Sequence, residues 1–510
     1  MTLQPLRLSQ DILLELLQHV PRQSGVATLM RTCKTLRDAG TRILLSHGVT
    51  VGNATQLRSF CAFMLRDVSA RAPHLRQLYL KIRLECDLDD EPEDDSDAAN
   101  DYSGSTLSKD TLRMLLTVLQ QTTNLEDLSI DSCEELLERE NKLVNAIIAL
   151  EHVHRLQVHS VGELAGRVLD NIKSSLIEVD LHCYTEEMYD PSPLIPMVER
   201  HCNTLEKLSG WYIELGDATV QFPRVRALAL RSFWGLDTAT LHRAFPNLQY
   251  LELSVPADLD AEPTRQENAA ANNHPWGVLR RLCGAVDALY ALGTAPHAKA
   301  VEVDWIGSYD AIMLARLRTT LSEARASHAV LHLGYGYGFS LPAGKLPDLL
   351  PLGGTTITHL ALDICTSSVM GTADDMLSDT VSLLRQHKLK FFVLRLHDSL
   401  EGAEEPASTQ VGRRGNSGNE DVNTSARGSK FPRVFGRPRH EKIIRMFSEA
   451  DSSLKHVALD VKGTEATYWA VEQTEAGLLV EELSSAAGRA LVRAEELAST
   501  DRSLGLQYVL

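Results

Sequence analysis

Leu125-Glu126-Asp127-Leu128-Ser129-Ile130 decides how this 510-residue chain is read. Its first, fourth and sixth places are apolar, and the last two alternate with a polar residue, as a strand with one buried face requires. The arrangement recurs from residue 75 onward. Copies stand at Leu75-x-x-Leu78-x-Leu80, Val153-x-x-Leu156-x-Val158, Leu176-x-x-Val179-x-Leu181, Val225-x-x-Leu228-x-Leu230 and Leu248-x-x-Leu251-x-Leu253. Others follow at Ala298-x-x-Val301-x-Val303, Ile357-x-x-Leu360-x-Leu362, Leu389-x-x-Phe392-x-Leu394 and Leu454-x-x-Val457-x-Leu459. Leu205-x-x-Leu208 carries Gly210 in the third slot, and around Leu331-x-Leu333 the phase slips.

Helical stretches lie between many units. Leu112, Leu115, Leu116 and Leu119 share a helical face, as do Leu279, Leu282 and Val286. Uninterrupted units sit about 20–32 residues apart, room for one strand and one returning helix or loop. Each strand then comes back parallel and right-handed beside its predecessor, and stacking buries a continuous apolar ladder. The expected fold class is therefore α/β: an irregular solenoid with a parallel sheet, spanning residues 47–510.

Three stretches break the pattern and read as inserted disordered loops: acidic residues 85–106, the Ala/Asn/Pro-rich 257–275, and the Gly/Ser/Arg/Asn-rich 400–440. Lys455–Lys462 and Thr467–Gln473 suggest a hairpin. A helix over Leu479–Ala498 follows, a cap from about residue 463 closing the open end of the array.

Ahead of the repeats, residues 1–46 read as three short helices. At 100° per residue Ile12, Leu13, Leu16, Leu17 and Val20 fall on one arc, with Ser9 to cap the start and Pro21 to end it. Two further helices follow, Gly25–Arg31 and Thr32–Leu45. Helices this short are marginal alone, so either the rest of the chain or a separate protein must cover the apolar arc.

The order Leu8-Ser9-x-Asp11-Ile12-Leu13-x-Glu15-Leu16-Leu17, then Val20-Pro21, Leu29, Cys33-Lys34 and Leu36, resembles the F-box. It departs from that family at Ser9, where proline is usual, and at Arg37, where an aromatic often stands. The repeats, with entries such as Phe222-Pro223-Arg224-Val225 and Phe245-Pro246-Asn247-Leu248, are similar to the leucine-rich repeats of F-box proteins, fungal ones particularly. They depart from these in the Asn/Cys slot, filled at Cys133 and Cys365 but not at Phe233, Pro256 or Ile306. The resemblance implies a non-catalytic substrate receptor, monomeric within a ubiquitin-ligase complex. Leu8, Ile12, Leu13, Leu16, Leu17, Val20, Leu29, Cys33 and Leu36 would contact the Skp-type adaptor of a cullin-RING ligase. The alternative is a repeat scaffold or inhibitor whose first helices cap its own first strand.

On a solenoid, the variable positions inside each strand share one face. They bring together Asp127, Asp131, Glu178, Asp180, Glu252, Glu302, Asp304, Asp363 and Asp460 against Lys81, Arg155, Lys207, Arg231 and Arg395. Tyr79, Trp211, Tyr250 and Phe391 are candidate anchors. Tyr79, Asp131, Asp180, Trp211, Tyr250, Glu252, Asp304 and Asp363 are the substrate-binding candidates, facing an unknown target protein with a basic patch.

Composition narrows the chemistry. The formal charge is −17, and residues 85–101 hold ten Asp or Glu with no Lys or Arg, so nucleic acid is not the expected partner. No apolar run approaches a membrane span, and a cytosolic or nuclear location is expected. Eight cysteines without a Cys-x-x-Cys pair read as reduced thiols. Gly334-Tyr335-Gly336-Tyr337-Gly338 lacks the lysine of a phosphate loop. There is no HExxH and no Gly-x-Ser-x-Gly. Neither the His152/His154 pair nor the arginines at 413–414 and 437–439 makes a site by spacing alone. No metal or cofactor is expected.

Overall fold

A computed structural model describes residues 23–82, 107–183, 191–218, 220–254, 259–271, 276–305, 310–334, 342–351, 356–366, 369, 371–397, 434–461, 464–475 and 477–495, with Ile12, Glu15, Leu17, His19 and Val20. The chain is mixed α/β with mostly parallel strands and divides into two compact units, Met1–Val225 and Arg226–Leu510.

The first unit holds β1 (Val49–Val51), β2 (Gln77–Leu80), β3 (Asp127–Ile130), β4 (Arg155–His159), β5 (Glu178–His182), β6 (Ser192–Pro193) and β7 (Lys207–Glu214). All its pairings are parallel, and the repeated apolar residues fall opposite one another. Leu78, Leu128, Leu156, Val179 and Leu208 form one row; Leu80, Ile130, Val158, Leu181 and Gly210 form the next. Each Leu, Ile or Val of these rows is buried, contributing up to about 1.5–3 kcal/mol. Helices return the chain between strands. The helix Lys109–Gln121, capped by Ser108 accepting from Thr111 N–H (3.2 Å), buries Leu112, Leu115 and Leu119, with Leu116 half-buried. The strands β1 and β6 are too short to show in the sequence pattern.

The second unit holds β8 (Ala227–Trp234), β9 (Tyr250–Ser254), β10 (Leu279–Ala285), β11 (Ala298–Trp305), β12 (His328–Leu333), β13 (His359–Cys365), β14 (Phe391–His397), β15 (His456–Val461), β16 (Thr467–Thr474) and β17 (Gly477–Leu483). From β8 to β15 neighbours pair parallel, aligning Leu228, Leu251, Leu282, Val301, Ala329, Leu360, Phe392 and Val457. The last two pairings, β15–β16 and β16–β17, are antiparallel.

Several expectations are corrected here. Leu279, Leu282 and Val286 are not a helical face, because Leu279-x-x-Leu282-x-Gly284 is one more repeat unit, on β10. Glycine hides it: a Cβ on Gly284 would lie 2.0 Å from the Leu253 carbonyl oxygen, and φ is +150°. The phase slip near Leu331 is also only apparent. Ala329 and Leu331 pair with Leu360 and Leu362 in register, the small Ala329 filling a slot usually held by a larger side chain.

The stretch 257–275, expected as a loop, carries the helix Ala261–Ala271. Asn268 anchors it, buried with four hydrogen bonds. Its Oδ1 accepts from Thr238 N–H (3.0 Å) and Oγ1–H (3.1 Å), and its Nδ2 donates to the Leu236 (2.8 Å) and Ala291 (2.7 Å) carbonyls. A fully satisfied amide can be buried in a segment that composition marks as polar.

The expected hairpin forms between β15 and β16, but β17 stands where the C-terminal helix was expected to begin. Leu479 and Glu481 are exposed while Leu478 and Val480 are half-buried, a period of two rather than 3.6. The helix is confined to Ser485–Ala494. Val492 and Leu491 lie on the strand face, against Val330, Ala361, Phe391, Val393 and Ala458.

Residues 85–106 lie outside the described residues, as do most of 400–440. The end of that segment is ordered: Phe435 is buried, and His440 opens the helix His440–Ala450.

Candidate functional site

The described residues between Ile12 and Ser46 form a cluster. Ile12, Glu15 and Leu17 are helical, and the helices Gln23–Met30 and Lys34–Ser46 follow. Cys33 caps the last helix, its Sγ accepting from Leu36 N–H at 3.5 Å. Leu17, Val26 and Leu36 make the core, with Val20, Leu29 and Met30 packed around it. Two expected contact residues, Leu17 and Leu36, are therefore interior, because the helices spend them on one another. Ile12 points outward at 49% exposure, and Cys33 is exposed. Leu8, Leu13 and Leu16 lie outside the described residues.

On the first unit's strand face the polar positions form rows across the strands. Arg155 lies 3.3 Å from Asp127 and 3.1 Å from Glu178, which in turn is 3.4 Å from Lys207. In the next row Tyr79 is half-buried and its hydroxyl lies 3.5 Å from Asp127, while Gln157 Nε2 donates to Asp180 at 3.2 Å. The third row runs from Asp131 through stacked His159 and His182 (3.8 Å) to Trp211 (5.0 Å). Burial, then the adjoining His182, holds His159 well below its ordinary value. His159 Nδ1 lies 3.3 Å from Asp131 Oδ1.

The acidic residues expected to await a basic partner are largely paired within the chain. In the second unit Glu252 receives a bidentate Arg231 (2.7 and 3.2 Å), while Tyr250 is half-buried near the Arg280 guanidinium. A buried ionic chain follows. Glu302 is held by Arg281 and by His332 (2.8 Å); His332 reaches Asp363 (3.3 Å), which also accepts from His397 (2.8 Å). Burial alone would raise the Glu302 carboxyl, but His332 and Arg281 outweigh it and hold it at about 2. Burial opposes charge on His332, yet Asp363 and Glu302 lift it to about 9. Asp363 lies far below the usual carboxylate range for the same reason, against its own burial. Neighbouring strands place these side chains about 4.8 Å apart, near enough to neutralise one another. Only the backbone of Asp304 is described, in β11.

The same face brings together His328, His359 and Glu495, whose ligand atoms lie within 4.8 Å of one another. No metal ligands were expected from the sequence. The signal that could have found them is a hydroxyl-histidine pair in successive units, Ser327-His328 and Thr358-His359. By contrast His152 and His154 are simply exposed, and Arg437 is paired with Glu465 (2.9 Å). Residues 335–338 and 413–415 lie outside the described residues. Burial pushes the Cys61 and Cys183 thiols up to about 12, which suits inert core sulfur. Among the described residues no helix is long and apolar enough to cross a membrane. No protein-family model matches the chain, and no curated protein sequence matches it.

Proposed function

We propose that this chain is the substrate-recognition subunit of a Skp-cullin-F-box type ubiquitin ligase. The helices of residues 12–46 act as its F-box, and the strands behind them act as an irregular leucine-rich-repeat solenoid that holds a target protein. The observation that supports this reading best is Ile12. It is half exposed, while Leu17 further along the same apolar arc is fully buried, so the cluster has an apolar core and still offers an apolar side chain outside. Ubiquitin transfer belongs to other subunits, and the contribution of this chain is effective concentration and orientation of the target.

A second reading, a repeat scaffold without ligase role, has its own support. Arg76 N–H donates to the Leu45 carbonyl (3.5 Å) and Leu45 is buried, so the helical cluster also closes the start of the strand array. Co-purification with a Skp-type adaptor separates the two. The wild-type chain is expected to capture adaptor and Ile12→Asp to lose it, with unchanged circular dichroism because the side chain is exposed. Failure of the wild type to capture adaptor, or equal capture by the variant, leaves the scaffold reading.

A further inference from the structure

We propose that His328, His359 and Glu495 bind a divalent transition-metal ion such as Zn2+, fastening the C-terminal helix to the strand face of the second unit. His328 on β12 and His359 on β13 are register partners, with rings stacked at 4.2 Å. Glu495 follows the helix Ser485–Ala494, which lies on this face through Leu491 and Val492. Two successive repeat units and one remote segment thus supply the ligands.

The hydrogen bonds orient both rings. Ser327 Oγ donates to the Lys299 carbonyl (3.3 Å), which leaves its lone pair to accept from His328 Nδ1–H at 2.8 Å. Thr358 Oγ1 does the same, donating to the Ser327 carbonyl (3.4 Å) and accepting from His359 Nδ1–H at 2.8 Å. In the tautomer with both protons on Nδ1, each Nε2 is the ligand atom, and the two Nε2 atoms stand 3.6 and 3.3 Å from Glu495 Oε2. Histidine ligands of metals are commonly held through the other ring nitrogen in this way.

Two imidazoles and one carboxylate offer ligand atoms that lie within 4.8 Å of one another, and His, His, Glu is a donor set that suits Zn2+. At bond lengths of about 2.1 Å, tetrahedral ligand atoms lie roughly 3.4 Å apart. The two Glu495 distances, 3.6 and 3.3 Å, already fit that spacing.

The test is Zn2+ uptake by the full chain after chelator stripping, measured by competition with a chromophoric chelator, with Co2+ absorption as a second readout. Wild type is expected to take up one equivalent at micromolar free Zn2+, and to gain in unfolding midpoint with Zn2+. Glu495→Gln, at an accessible helix end, keeps the fold and is expected to weaken uptake by about tenfold or more. His359→Asn is expected to act alike, whereas His152→Ala leaves uptake unchanged. No uptake by wild type, or uptake and Co2+ bands that survive Glu495→Gln and His359→Asn, overturns the proposal.

Discussion

Asp363→Ala removes the acceptor shared by His332 and His397, and with it the middle of the buried ionic chain on the second unit. His332 is lifted from 6.5 to about 9 by Asp363 and Glu302, which corresponds to an upper figure of about 3 kcal/mol at ~1.4 kcal/mol per unit. Removing one partner of a buried pair costs about 3–5 kcal/mol. Because His397 is 36% exposed and can turn to water, the lower end, about 3 kcal/mol, is expected.

The pH dependence has a defined sign. His332 binds its proton more tightly folded than unfolded, so its stabilisation is complete below about 6.5 and is lost as pH rises through 9. Glu302 is depressed, so its part is present above its ordinary value of 4.5 and lost as pH falls through 2. Urea unfolding followed by circular dichroism at pH 6, 7.5 and 9 measures the His332 effect. The wild-type midpoint should fall from pH 6 to 9, and the Asp363→Ala midpoint should start lower and fall less. A wild-type midpoint that stays level or rises over that range, or a variant shifted by under about 0.5 kcal/mol as for a surface change, refutes the reasoning.

Asn268→Ala leaves Thr238 N–H and the Leu236 and Ala291 carbonyls without their partner. A loss of about 2–4 kcal/mol is expected in denaturant titration, where a mere loop would lose almost nothing. Gly284→Ala forces a Cβ against the Leu253 carbonyl oxygen. Since backbone must move, about 3 kcal/mol or more is expected, read as a lowered thermal midpoint or loss of soluble protein. Leu17→Ala empties the centre of the helical cluster at about 2–5 kcal/mol; limited proteolysis should then cut within residues 12–46.

Much of the fold was legible because strand pairing repeats one demand, two apolar side chains of each unit on the covered face. Leu78, Leu128, Leu156 and Val179 met that demand visibly. Leu282-x-Gly284 and Ala329 met it with residues too small to register, glycine because a neighbouring backbone occupies the space of its side chain. The proposed adaptor-binding residues were legible only as a pattern. Which of its residues point outward depends on how the three helices share their apolar faces, and they consume Leu17 and Leu36.

By itself the sequence determined the order of strands and returning helices, since local periodicity is written residue by residue. It also contained the charged rows, as alternating polar positions within each unit. Only the tertiary structure decided what those positions do, because register puts residues about thirty apart at neighbouring places on adjacent strands. That is how Glu302, His332 and Asp363 came to neutralise one another rather than await a basic partner. The same register stacked His328 on His359, and the chain's last described turn brought Glu495 to them across more than a hundred residues.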